Sequence, residues 1–386
     1  MSDGADVIGL LSELIACPSV NPGRGAAGGS GGEARLAEML AALLRGWGGE
    51  VRVTEVVPGR PNLVATFVGR GDGRSLMLEA HSDTVSVEGM TVPPFEATIR
   101  DGRLHGRGAC DTKGPMAAML AALRSVLDEG GPPGTVHFVS TCDEECGAIG
   151  ASALMASGYR ADIAVVGEPT GLEIVRAHKG ALRWNIATRG RAAHSASPER
   201  GTNAIYAMAD IVRALQRYAE GPLAARPHPL LGKPTLSVGT ISGGTQANIV
   251  PEHCQIEVDR RLLPGESREG ALAEMLVVLE PLRAAIPALD FSCEPLGCYP
   301  PFQEAPDGPA AALVAAACER ALGRATFAVA PWASNAGFFG AAGIPCVVFG
   351  PGHIAQAHTA DEFIEVEQLR RAVVAYAEII RGAGQG

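Results

Sequence analysis

The sequence places histidines and carboxylates directly after several apolar, strand-like runs. The run Leu76–Ala80 ends in His81-Ser82-Asp83, and the alternation of an extended chain puts His81 and Asp83 on the same side. Ligands of α/β proteins usually bind at the carboxyl ends of such strands, so residues from several runs could meet there. The residues that this pattern indicates as metal ligands are His81, Asp111, Glu145, Glu168 and His358.

Three consecutive acids, Asp143-Glu144-Glu145, follow the strand-like run 135–140. They repel one another, and a bound cation relieves the repulsion while a neighbouring carboxylate stays free to transfer protons. The alternative for Asp111 is an N-cap role, because it lies just before a predicted helix. If Asp111 is instead shared, the ligands and one water give two ions roughly four-coordinate surroundings. Imidazole and carboxylate ligands favour zinc, with cobalt and manganese as alternatives.

Strands and helices alternate over most of the chain, which predicts an α/β sheet with helices on both faces. Apolar residues at three- and four-residue spacing indicate the helices, and short β-rich runs between turn residues indicate the strands. The predicted helices are 5–16, 32–47, 113–127, 308–322 and 366–381. The predicted strands are 51–56, 62–67, 75–79, 135–140, 162–166 and 344–349.

From about residue 180 the order of elements changes to β-α-β-β-α-β, which is the ferredoxin-like pattern of a small inserted domain. Its predicted strands are 181–188, 235–241, 254–261 and 289–294, and its predicted helices are 202–218 and 267–282. The Gly- and Pro-rich stretches near Gly180 and at Pro295–Pro301 are predicted hinges. We therefore predict a catalytic domain formed by residues 1–179 and 295–386, with an inserted domain at 180–294.

The composition narrows the class of partner. A net charge of −10 argues against nucleic acid or an acidic membrane, so we expect a small-molecule substrate. The nine cysteines show no repeated spacing, which indicates free thiols and a cytoplasmic location. We expect neither a signal peptide nor a membrane helix, because no run approaches the roughly 18 apolar residues that a membrane helix needs.

Several short motifs together resemble one family of enzymes. They are His81-Ser82-Asp83-Thr84-Val85, Gly106-Arg107-Gly108-x-x-Asp111-x-Lys113-Gly114, Glu144-Glu145-x-Gly147 and Gly167-Glu168-Pro169-Thr170. The chain resembles the family of acetylornithine deacetylases, succinyl-diaminopimelate desuccinylases, glutamate carboxypeptidases and aminoacylases over essentially its whole length. The resemblance implies a mixed-sheet, zinc-exopeptidase-like catalytic domain with an inserted ferredoxin-like domain for lid and dimerisation functions.

The resemblance also implies roles for the ligands. His81 and Glu168 would complete one metal site, Glu145 and His358 the other, and Asp111 would bridge the two ions. Two further residues would act beside the metals: Asp83 would orient His81, and Glu144 would be the general base that deprotonates a water lying between the ions.

Further roles follow from motifs in the later part of the chain. His194 would reach the active site of a partner subunit and stabilise the oxyanion, which implies a homodimer formed through the inserted domain. Asn248 and Arg261 would bind the substrate, and the fork of Arg261 suits a carboxylate. Asn335 stands near the predicted pocket where related chains often carry Asp, so the substrate is not specified by this motif.

The function that we predict is hydrolysis of the amide bond of an N-acyl amino acid, with acetylornithine deacetylases as the most similar branch. The alternatives within the family are desuccinylase, other N-acyl- or N-carbamoyl-amino-acid hydrolase, and metallo-dipeptidase or carboxypeptidase. An inactive protein that binds an acyl-amino acid is the alternative from a different class. That class would be expected to lack a ligand or the base, whereas this chain has all of them.

Overall fold

The computed structural model describes residues 6–23, 31–71, 73–285 and 290–384. The chain forms two compact units. The first comprises the chain up to Arg176 together with Gln303–Val329 and the chain from Ser334, and the second comprises Ala177–Phe302 with Ala330–Ala333. None of the helices within the described ranges is long and apolar enough to span a membrane.

The described helices and strands are numbered along the chain. The helices are α1 (Val7–Ala16), α2 (Gly32–Gly46), α3 (Lys113–Asp128), α4 (Ile149–Ala156), α5 (Ala204–Tyr218), α6 (Arg268–Ala285), α7 (Pro309–Leu322), α8 (Ala336–Ala341) and α9 (Val366–Gly382). The strands are β1 (Glu50–Val57), β2 (Arg60–Phe67), β3 (Gly73–His81), β4 (Thr98–Arg100), β5 (Arg103–His105), β6 (Gly134–Thr141), β7 (Ile163–Val166), β8 (Ile174–His178), β9 (Gly180–Arg189), β10 (Ala193–His194), β11 (Thr235–Gly243), β12 (Ile249–Val250), β13 (His253–Leu262), β14 (Asp290–Tyr299), β15 (Phe302–Gln303), β16 (Phe327–Ala330), β17 (Cys346–Val348) and β18 (Phe363–Glu365).

The main sheet is mixed, with the order β1-β2-β6-β3-β7-β17-β8-β15 and β16 beside β8. Strands β6, β3, β7 and β17 run parallel, whereas β1, β2 and β6 pair antiparallel. In the parallel register His81 lies opposite Thr141, and Glu79 lies opposite Val166. The carboxyl ends of β3, β6 and β7 therefore meet at one edge of the sheet, and three candidate ligands, His81, Glu145 and Glu168, lie at or just after them.

One apolar core joins this sheet to the helices of the first unit. Leu78 and Phe138 of the sheet are buried with Leu11 of α1, Leu36 of α2 and Leu369 of α9. Helix α3 is buried along most of its length, because alanines and methionines fill its first three turns and exclude water on all sides. The start of α3, directly after Asp111, is thereby fixed to the core.

The second unit contains the predicted β-α-β-β-α-β order as β9, α5, β11, β13, α6 and β14. Its sheet has the strand order β11-β13-β9-β14, and all neighbouring strands are antiparallel. Alternate residues of β9, Leu182, Trp184 and Ile186, are buried with Met208 of α5 and Met275 of α6. This period of two leaves the residues between them outside that core.

Most predicted strands and helices agree with the structure within a few residues. The sequence did not predict helices α4 and α8 or the strands β4, β5, β8, β10, β12, β15, β16 and β18, because each is short and lacks a clear period. Strand β14 continues to Tyr299, through most of the predicted hinge at Pro295–Pro301, and the boundary between the two units falls after Phe302, so a hinge at this place stays a prediction. Pro295 is tolerated because β14 is the last strand of its sheet and the register shifts between Pro295 and Gly297. Residue 5 of the predicted helix 5–16 and residue 289 of the predicted strand 289–294 lie outside the described residues.

Candidate metal centre

Asp111 lies between two imidazoles. Its Oδ1 is 3.0 Å from Nε2 of His81, and its Oδ2 is 3.3 Å from Nε2 of His358. The carboxylate is 6 % exposed, so water competes little for either oxygen. One oxygen directed at each imidazole is the arrangement that a bridging carboxylate requires.

Glu145 joins this group through His358. Its Oε2 is 3.0 Å from Nε2 of His358, and one donor atom each from His81, Asp111 and Glu145 lies within 4.8 Å of the others. Three predicted ligands thus form a cluster with the spacing of a metal site, and His358 contacts two of them.

Glu144 and Glu168 add negative charge to the same region. Burial raises the pKa of Glu168 well above its usual value, and the charges of Asp111 and Glu144 raise it further. Burial likewise raises the pKa of Glu144, and His81 opposes the added repulsion from Glu145 and Asp111. Both carboxyls therefore lie near enough to Asp111 for its charge to act on them.

The imidazoles balance part of this charge. Hydrogen bonds to Asp111 and Glu145 raise the pKa of His358 to about 10, while burial and repulsion from Asp111 raise that of Glu145 to about 7. Burial alone would raise the pKa of Asp111, but its bonds to His358 and His81 lower it below the usual range. These carboxylates strongly stabilise positive charge on the imidazoles. Such a set of imidazoles and carboxylates is suited to divalent cations.

Asp83 connects His81 to the loop after β6. Nδ1 of His81 donates to the backbone carbonyl of Asp83 at 2.9 Å, and Oδ1 of Asp83 is 3.5 Å from the same nitrogen. The carboxylate also accepts the backbone N–H groups of Glu144 at 2.9 Å and Glu145 at 3.0 Å. Because a carbonyl can only accept, Nδ1 carries a proton and Nε2 faces Asp111.

Glu362 holds the loop that carries Asp111, a role that the sequence did not reveal. Its carboxylate accepts backbone N–H groups from Gly108 at 3.0 Å, Cys110 at 2.9 Å and Asp111 at 3.0 Å. It also pairs with Nη1 of Arg107 at 2.8 Å. The position of Asp111 therefore depends on an acid 251 residues further along the chain. The acidic segment after His358 was visible in the sequence, but nothing in it indicated this partner.

Asn335 lies beneath the ends of β3 and β6. Its Nδ2 donates to Oε1 of Glu79 at 2.9 Å and to Oγ1 of Thr141 at 3.0 Å, and Thr141 donates to the same Glu79 oxygen at 2.6 Å. Asn335 and Glu79 are both buried. The amide nitrogen is therefore engaged within the protein, and contact of Asn335 with substrate stays a prediction.

The other predicted residues lie in the second unit. Exposed His194 is in β10, which pairs with β12, and Ser195 N–H donates to the carbonyl of Asn248 at 3.0 Å. The backbone N–H of Ala196 donates to Nδ1 of His194 at 3.1 Å, which leaves the proton of a neutral imidazole on Nε2. Arg261 Nε is 2.8 Å from Oδ1 of Asp259. His194 and Asn248 thus lie on neighbouring segments.

Imidazoles and carboxylates at the carboxyl edge of a mixed α/β sheet are typical of metal-dependent hydrolases. The chain belongs to Peptidase family M20/M25/M40, whose sequence profile matches residues 77–382. This confirms the family, the α/β fold class and the amidohydrolase class that the motifs predicted.

Three known proteins illustrate the similarity. Acetylornithine deacetylase of Proteus mirabilis is 35% identical over 369 residues, which cover 93% of this chain and 92% of the relative. The crystal structure of aminopeptidase PepT from Bacillus cereus matches with a TM-score of 0.77 and 26% identity over 98% of both chains. A dinuclear metal-binding peptidase from Bacillus subtilis matches with a TM-score of 0.72 and 19% identity, covering 98% of this chain and 97% of the other.

Proposed function

We propose that this protein hydrolyses the amide bond of an N-acyl amino acid and that acetylornithine is its first candidate substrate. The observation that carries the proposal is Asp111 held between His81 and His358, with Glu145 on the same imidazole of His358 and with Glu144 close enough for the charge of Asp111 to raise its pKa. Similarity over nearly the whole chain to an acetylornithine deacetylase supports the choice of substrate.

We propose that the site holds two divalent ions, with zinc the first candidate and cobalt or manganese the alternatives. His81 and Glu168 would bind one ion, Glu145 and His358 the other, and Asp111 both. The donor set supports this, because imidazole nitrogens and carboxylate oxygens are ligands that zinc accepts. The dinuclear site named for the Bacillus subtilis relative agrees with it. When bound, the ions would supply Lewis-acid activation of water and of the amide carbonyl.

Glu144 is the proposed general base. It would accept a proton from the attacking water as the water oxygen bonds to the carbonyl carbon, and would return that proton to the amine nitrogen as the C–N bond breaks. The products are a carboxylic acid and the free amino acid. Asp83 supports this role, because its carboxylate holds the backbone N–H of Glu144 at 2.9 Å.

We propose that the second unit supplies the remaining groups and forms a homodimer. His194 would stabilise the oxyanion in the partner's site, and Asn248 and Arg261 would contribute to substrate binding together with Asn335 of the first unit. Strand β11 is an edge strand of its sheet and is exposed along most of its length; Ile241, for example, is 61 % exposed. Such an edge can pair with the same strand of a second copy.

Mixed dimers test the proposed role of His194. We expect His194→Ala and Glu144→Gln to be nearly inactive alone, and their mixture after subunit exchange to recover about a quarter of the wild-type activity. Random exchange makes half of the dimers mixed, and one of the two sites in each then has both groups. Recovery near zero, with exchange verified by mass spectrometry, would show that His194 does not act in the partner's site.

We also propose a cytoplasmic location. All nine cysteines are free thiols in the structure, and six of them are buried. Unpaired cysteines are typical of proteins that work in a reducing compartment, where disulfides rarely persist.

A substrate panel with metal quantification tests the function. The substrates are N-acetylornithine, N-succinyl-diaminopimelate, N-acetylmethionine, an N-carbamoyl amino acid and simple dipeptides. We expect the highest kcat/KM for N-acetylornithine and about two bound ions per chain. A higher value for another substrate would move the proposal to that branch. No hydrolysis after addition of zinc or cobalt, with no ion bound, would favour the inactive binding protein.

A further inference from the structure

A buried ion-pair network lies behind the loop that carries Glu144 and Glu145. Arg60 Nη1 is 2.7 Å from Oδ1 of Asp143, and Arg60 Nε donates to Oε2 of Glu33. The exposed fractions of Glu33, Arg60 and Asp143 are 3 %, 5 % and 5 %. Charges that are buried this completely need partners of opposite charge, and here the two acids share the guanidinium of Arg60.

Asp143 determines the path of the loop. Its backbone N–H donates to Oε1 of Glu33 at 3.0 Å, and its backbone has a φ of 66°. Its carbonyl accepts the N–H groups of Gly147 at 3.1 Å and Ala148 at 2.6 Å. Glu144 and Glu145 lie inside the turn that these bonds close. The left-handed conformation is uncommon for a residue other than glycine and is maintained here by the contacts on both sides of Asp143.

Asn21 connects this network to Asp83. Its Nδ2 donates to Oδ2 of Asp83 at 2.7 Å and to Oδ1 of Asp143 at 3.0 Å, while its Oδ1 accepts the N–H of Gly23 at 2.8 Å. An amide nitrogen has two protons, so one neutral group satisfies both carboxylates without adding charge. Asp83 in turn holds His81 and the N–H groups of Glu144 and Glu145.

We propose that Asn21, Glu33, Arg60 and Asp143 are positioning residues for the reaction. Through Asp83 and the turn at Asp143 they would fix Glu144 and Glu145 relative to His81. This inference rests on the proposed function, in which Glu145 and His81 bind the ions and Glu144 moves the proton. Asp143 is then the member of the acidic run that neither binds metal nor acts as base, because its carboxylate is engaged by Arg60 and Asn21.

Asn21→Ala is the first test, since the side chain is only partly buried and its removal leaves the apolar core intact. We expect kcat to fall by about 10- to 100-fold with KM within about threefold, because groups that orient ligands typically affect activity or metal affinity to that extent. Zinc titration of the metal-free protein should show a loss of affinity of about 10- to 100-fold. A role in folding alone would leave both quantities unchanged at a temperature where the variant is folded.

Two further variants separate charge from shape. Asn21→Asp keeps the shape but places a third carboxylate between Asp83 and Asp143, so we expect a larger loss of kcat than in Asn21→Ala. Arg60→Lys keeps the charge but loses the fork that serves two acids, and we expect an intermediate loss. Arg381→Lys is the matched control, because Arg381 also pairs with two acids, Glu129 and Glu378, but at the surface.

The outcomes are distinguishable from failure of the proposed function. If the wild type hydrolyses no substrate of the panel, that function fails, but the zinc titrations still decide whether Asn21 and Arg60 position the ligands. The positioning role is wrong if Asn21→Ala, Asn21→Asp and Arg60→Lys all keep zinc affinity and kcat within about twofold of the wild type. Substitution of residues that orient ligands normally lowers metal affinity or activity by far more than that. A wild type that binds no zinc, cobalt or manganese overturns both proposals.

Discussion

Replacement of Glu144 by glutamine is expected to reduce kcat on the N-acyl amino acid by roughly 10²- to 10⁴-fold, the usual contribution of a general acid–base group. Glutamine has nearly the same shape, but its amide can neither accept the proton of the attacking water nor deliver it to the amine. The loop should stay in place, because Asp83 holds residue 144 by its backbone N–H at 2.9 Å. We therefore expect KM and zinc affinity to change by less than about threefold, the pattern of an interaction made only in the transition state.

Two controls make this result specific. Glu365→Gln removes an exposed acid that pairs with Arg103 at 2.8 Å on the surface of the first unit, and it should keep wild-type turnover. Metal content of Glu144→Gln is measured on the same sample as turnover. A variant with a full complement of metal and near wild-type turnover would show that another group is the base.

The ends of the parallel strands could be predicted from the sequence. Apolar runs specify where β3, β6 and β7 lie, and the polar residue that ends each run must lie at the sheet edge. His81, Glu145 and Glu168 were predicted as ligands in this way. Local patterning is sufficient here because ligand and strand are adjacent in the chain.

The residues that hold the ligands in place could not be predicted. Glu362 acts on a loop 251 residues away, and Asn21 reaches Asp143 across 122 residues. Each is a single polar residue with no periodic pattern around it, so only the folded chain identifies its partner. The repulsion predicted among the three consecutive acids is likewise relieved in part by Arg60, whose position at the start of β2 gave no indication of this role.

The inserted order of elements was predictable for a different reason. The parallel strands of the main sheet are continuous apolar runs, whereas in β9 and β13 every second residue faces the core. This change of pattern can be recognised residue by residue in the sequence. The end of the last strand in this order was less predictable, because Pro295 indicated a break where the edge strand β14 continues. Roles that depend on a second copy, such as the one proposed for His194, are not determined by such patterns.

Asp111→Asn is expected to have the largest effect of any single substitution in this site. Aspartate directs one charged oxygen at His81 and the other at His358, whereas asparagine has a single neutral acceptor. We expect loss of at least one of two bound ions and a fall in kcat/KM of roughly 10³-fold or more, because the ions and the base act together in such sites. Asp128→Asn, which removes a surface partner of Arg124, is the control and should retain both properties.

The metal-free form of Asp111→Asn provides a readout that needs neither substrate nor ion. Asp111 is the main cause that raises the pKa of His358 to about 10, and after burial it is the main cause that raises the pKa of Glu145 to about 7. Loss of this negative charge makes a proton less favourable on either group, so both pKa values should fall, and His358 should become neutral at a lower pH. NMR titration of the two side chains measures this directly. Unchanged values would mean that Asp111 does not lie between the two sites, and the shared-ligand arrangement would then be wrong even if the variant were inactive.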